Sequence, residues 1–158
     1  MTMSDKRTYP IVPILFLVAG VSIFAAMGLF VPVQERIDDL HLRKFAERIA
    51  ATDRVVATRQ TYPSHKVTSL SLTGEDARRI VQAISSGRAN RSADMAMSPP
   101  RVTFFHGTNV LAEIMTSSTL FSAGGRHYED SSGVLGGLVY TPLITMVHEE
   151  QMKEVKSQ

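Results

Sequence analysis

The stretch that most constrains this chain is PIVPILFLVAGVSIFAAMGLFVPV, residues 10–33, which holds no charged side chain. A helix needs about 20 consecutive apolar residues to cross the hydrocarbon core of a bilayer. A buried core helix rarely stays charge-free for so long. The apolar part of a cleaved signal peptide covers only about 7–15 residues before a small-x-small site. Here the stretch is longer, and cuts after Ala25 or Ala26 would leave Ile23 or Phe24 three residues upstream. The reading is an uncleaved anchor: a short basic tail over 1–9, then one transmembrane helix over 10–33. The chain is thus expected in a membrane as a single-pass protein. The rest of it is expected outside the cytoplasm, in the periplasm if the cell is bacterial. Lys6 and Arg7 precede the span, and Arg36, Arg43, Lys44 and Arg48 follow it.

The span holds no His, Asp, Glu, Lys or Arg. Ionisable residues inside a membrane mark proton paths, ion paths and cofactor ligands. A transport or redox role for the span therefore has no chemistry to rest on. Ala19, Ser22 and Ala26 recur at spacings of three and four. Small residues so placed let helices approach closely, which makes them a candidate helix–helix face.

Residues 34–60 follow, with six basic and five acidic side chains. Ile37, Leu40, Phe45 and Ile49, and beyond them Val56, recur at mostly helical spacing. An amphipathic juxtamembrane helix is expected over the whole segment. Its apolar face, carried by the first four of these residues, is a second candidate for contact with partners.

From residue 61 to 158 the pattern changes to short β and α segments. VTSLSL reads as a strand. TGEDARRIVQAISSG reads as a helix, with Thr73 and Asp76 in a capping-box arrangement and Gly87 as its stop. Residues 88–100 form an arginine-bearing polar loop. RVTFF and VLAEIM read as strands joined by HGTN, and TLFSA and RHYE as strands joined by Gly124-Gly125. Asp130, Ser131 and Ser132 can cap a glycine-weakened helix, GVLGGLVY. A last helix restarts at Thr141-Pro142. The expected fold is α+β: a β-α-β-β-β-α domain with an antiparallel sheet covered on one face by helices.

The net charge is only +2, too small for a nucleic-acid partner. No cysteine is present, which removes thiolate metal sites and cysteine nucleophiles. The chain also lacks G-x-S-x-G and the glycine-rich phosphate loops. His106, His127 and His148 show no close ligand spacing such as H-E-x-x-H, so no metal is assigned. FFHGT, residues 104–108, resembles over five residues the His-Gly-Thr/Ser strand motif of the ADP-ribosyltransferase family. That resemblance implies His106 on a dinucleotide ribose, Tyr128 or Tyr140 stacked on nicotinamide, and Glu129 or Glu149 as the catalytic acid. A tight turn accounts for the same residues. The preferred reading has no catalytic residue, cofactor or metal: an interaction module and accessory subunit, held in the bilayer through 10–33. Its partners would be other membrane proteins, with homo-oligomerisation left open. The alternatives are a tethered ligand-binding domain and, more remotely, an enzyme centred on His106.

Overall fold

The computed structural model describes residues 11–62, 64–92, 95 and 98–156; of residues 11–18, 20, 21 and 23–29 it describes the backbone alone. The chain divides into two compact units, residues 1–37 and 38–158. Helix α1 runs from Ile11 to Ile49 and contributes to both. Pro32 lies inside it and does not end it. A proline removes one helical hydrogen bond, and the helix continues on either side of that gap. Most side chains of the expected span lie outside the described residues. Among the described residues no helix is long and apolar enough to cross a membrane.

The second unit is an antiparallel sheet of seven strands with helices on one face, an α+β architecture. The strands are β1 (Arg54–Gln60), β2 (Val67–Thr73), β3 (Arg88–Ala89), β4 (Arg101–His106), β5 (Asn109–Thr116), β6 (Leu120–Ala123) and β7 (Arg126–Glu129). Their order across the sheet is β2-β1-β4-β5-β6-β7-β3. The other helices are α2 (Gly74–Ser85) and α3 (Thr141–Lys156), the latter entered through a π-helical turn, Gly136–Tyr140.

Two strands correct the sequence reading. The helix expected to reach residue 60 ends at Ile49, and Arg54–Gln60 is a central strand paired with both β2 and β4. Thr52 and Asp53 interrupt the helix, and RVVAT then alternates: Val55 and Ala57 are fully buried while Val56 and Thr58 face the other way. β-branched side chains fit that pleated surface better than a helix. The second is β3, two residues of the expected polar loop that pair with the end of β7. Added to the five segments read as strands from the sequence, these two complete the seven-stranded sheet.

The core lies between the sheet and its helices. Val55, Ala57, Val102, Phe104, Ala112, Ile114 and Phe121 point inward from the strands. Ala77, Ile80 and Ile84 of α2 meet them, with Leu135, Val139 and Leu143 from the last helical segment. The final turns of α1 join through Leu42 and Ile49, and Phe45 packs edge-on to Phe104 at 6.5 Å. Thr73 is the N-cap residue of α2, with extended backbone, but its side chain makes no capping hydrogen bond. Asp130 does cap: it is buried, and its carboxylate accepts the N–H groups of Ser132 and Leu135.

Two glycines fit steric demands. A Cβ on Gly87 would lie 2.7 Å from the Phe121 ring, so α2 ends against that ring. One on Gly136 would lie 2.6 Å from the Ser118 carbonyl, in the turn between β5 and β6.

Candidate functional site

All of the helix packing is on one face of the sheet. The strands' alternate residues build the other face, and among the described residues no helix covers it. Reading across the register, Val56, Thr103 and Glu113 form one row. Thr58, Arg101, Met115, Ser122 and His127 form the next. Arg54, Phe105 and Val110 form a third, with the Arg54 guanidinium 4.5 Å from the centre of the Phe105 ring. Val67 (60% exposed), Val110 (57%) and Met115 (47%) stand open to solvent on this face.

Arg101 and Met115 lie between two shallow grooves. One, of about 440 Å³, is lined by Thr58, Gln60, Tyr62, Val67, Ser98 and Arg101. The other, of about 290 Å³, runs past Glu113 and Ser122 to Gly124-Gly125. Arg101 and Glu113 face each other at 3.7 Å. Both are exposed, so their attraction contributes little to stability. They remain able to exchange solvent for a partner's polar groups. Isolated exposed apolar residues are ordinary; here Val67, Val110 and Met115 share one sheet face with Arg101 and Glu113.

His106 stands at the end of β4, where it pairs with Asn109 across the two-residue Gly107-Thr108 loop. Gly107 takes a φ of +57°, which glycine tolerates without strain. Its N–H donates to the Asp53 carboxylate at 2.7 Å, and His106 Nδ1 lies 3.5 Å from the same oxygen. His106 is thus the exposed shoulder of a turn that Asp53 pins. The residues that the ADP-ribosyltransferase resemblance would assemble are dispersed. Tyr128 is on β7, three strand spacings or about 14 Å across the sheet from β4. It is buried, stacked on Phe121 at 5.4 Å, and its hydroxyl donates to the Asp38 carbonyl. Tyr140 lies in the π-helical turn, Glu129 ends β7 and Glu149 is in α3. Among the described residues no three His, Asp or Glu side chains are grouped to hold a metal ion.

The expected contact faces on α1 divide. Ile49 is in the core and Phe45 packs against it, whereas Ile37 and Leu40 are exposed. The four residues do not form one free face. Ala19 and Ser22 are exposed, and the side chain of Ala26 lies outside the described residues.

The stripe of α1 that faces the domain is Asp38, Leu42, Phe45 and Ile49, with Asp38 one turn before the first apolar member. Asp38 is 4% exposed and meets two arginines. Its carboxylate accepts from Arg91 Nε and Nη2 at 3.0 and 2.8 Å through one oxygen, and pairs with Arg126 through the other. Burial alone would raise the pKa of this carboxyl. The two guanidinium groups outweigh burial and hold it below the ordinary value of 3.8. Burial, reinforced by the Asp38 charge, pushes the Tyr128 hydroxyl above its usual 10.0. This bracket ties α1 to β7 and to the segment after β3. Its only sequence signal was an acid placed where the helical period calls for an apolar residue.

Compared with protein-family models, with curated proteins and with solved structures, the chain finds no match.

Proposed function

We propose that this chain is a membrane-anchored, non-catalytic interaction module, an accessory subunit of a larger membrane assembly. The anchor is the charge-free stretch over residues 10–33, with the domain outside the cytoplasm. The partner-binding surface is the bare face of the sheet, centred on Phe105, Val110, Arg101 and Met115. The observation that carries the reading is that one face of this sheet satisfies the fold while the opposite face is left apolar, charged and open. His106 ends β4 while Tyr128 and Glu129 lie on β7, three strands away across the sheet, and that separation favours binding over catalysis.

The test begins with alkaline carbonate washing of membranes that contain the full chain. Retention in the pellet supports the anchor, and release into the supernatant overturns it. Extraction in mild detergent, sizing and mass spectrometry of the co-migrating proteins follow. A stoichiometric membrane partner that is lost on Met115→Lys, at unchanged thermal stability, is the expected result. A partner-free chain would overturn the subunit reading. The groove of about 440 Å³ beside Arg101 would then direct attention to a tethered ligand-binding domain, tested by ligand-dependent shifts in Tm.

A further inference from the structure

The two edges of the sheet are unlike. The β3 edge is two residues long and begins with a charged arginine. Short, charged edges resist pairing with other chains. The β2 edge is seven residues long, Val67–Thr73, and has no charge, no proline and no bulge. All seven residues pair with β1 on one side. On the other side no described residue makes a hydrogen bond to its backbone. Among the described residues nothing pairs with that strand's outward N–H and C=O groups, and the strand itself carries no charge, proline or bulge of the kind that blocks such edges.

We propose that β2 pairs antiparallel with β2 of a second copy of this chain, joining two sheets across a two-fold axis at Leu70. The sequence of the strand is self-complementary in that register. On the helix side Leu70 meets its own counterpart and Thr68 meets Leu72. On the open side Ser69 meets Ser71 and Val67 meets Thr73. No side chain in the ladder sets like charge against like charge, an arrangement that would oppose pairing. At each end Lys66 of one copy faces Gly74 of the other, one residue from Glu75, while Lys66 keeps its own ion pairs with Glu150 and Glu154 at 3.7 and 3.6 Å. A two-fold interface needs this kind of self-matching surface. An extended peptide could use the same main-chain groups. The palindromic pattern of the strand favours a second copy. The pairing uses the edge of the sheet and leaves the open face free, and it does not depend on the membrane reading.

The chain has no cysteine, so introduced cysteines report on this edge without background. Ser69→Cys and Ser71→Cys versions of the full chain, co-expressed in one cell and oxidised in mild detergent, are expected to form disulfide-linked dimers. Either version alone should cross-link much less, as should Ala89→Cys on the β3 edge. A Ser69→Lys/Ser71→Lys variant should lose the dimer in a sizing measurement and keep the wild-type Tm. Co-expressed chains that cross-link no better than the single versions overturn the proposal. So does a dimer that survives the lysine pair unchanged, because it would have to form elsewhere in the chain.

Discussion

Phe104 and Phe105 are neighbours in one strand and live in different worlds. Phe104 points into the layer between sheet and helices, is fully buried, and meets Phe45 of α1. Phe105 points to the bare face and is held by the Arg54 guanidinium. The same contrast runs through Val55 and Val56, and through Ile114 and Met115. One face of the pleat closes the fold; the other carries apolar area that the fold does not need.

The comparison breaks most readily at the phenylalanine pair. Phe104→Ala should lower unfolding stability by about 3–5 kcal/mol, because it removes a buried ring and leaves a cavity. Phe105→Ala should cost about 1 kcal/mol, the scale of an exposed cation–π contact. Denaturant midpoints followed by circular dichroism measure both. Equal losses would mean that the outer face is as tightly packed as the inner one.

The inner layer also depends on charge. Asp38→Asn should cost about 2–3 kcal/mol at neutral pH, since it removes a carboxylate from two guanidinium groups that keep some access to water. The folded-state carboxyl ionises below its ordinary 3.8, so its stabilising contribution is complete above that pH and is lost as pH falls through the lower folded value. The gap between wild type and variant should therefore narrow with acidification below about pH 4. A gap that is constant from pH 7 to pH 3 would assign the loss to packing instead.

A finer contrast lies within the π-helical turn. Gly136→Ala should cost about 1–3 kcal/mol, because its new methyl would meet the Ser118 carbonyl, a backbone atom that cannot swing aside. Gly137→Ala meets nothing within 4 Å and should stabilise by up to about 1 kcal/mol through helix propensity. Smallest of all, Thr73→Ala should change stability by less than about 0.5 kcal/mol, since the Thr73 side chain makes no cap bond to lose. A loss near 1 kcal/mol would show that the cap forms in solution.

Much of the domain was legible in the sequence. The alternation in RVTFF and VLAEIM, the glycines at 107, 124 and 125, and the capping acid at 130 locate two hairpins and the last helical segment, because local sterics and local hydrogen bonds decide them. The helix from Gly74 to Ser85 is written in its stripe of Ala77, Ile80 and Ile84. Arg54–Gln60 was misread because its apolar residues continue a helical spacing begun upstream. A short β segment directly after a long helix inherits the helix's period until burial shows which side chains alternate.

The sequence by itself determined the charge-free stretch, the α+β class and the hairpin turns, all of which depend on residues close together along the chain. Only the tertiary structure decided that Arg54–Gln60 is a central strand and that Asp38 meets Arg91 and Arg126. It also decided that, among the described residues, no helix covers one face of the sheet. Each of these joins residues far apart in sequence. Their pairing is chosen by which surfaces lose water together when the layers close, and no local pattern records that choice.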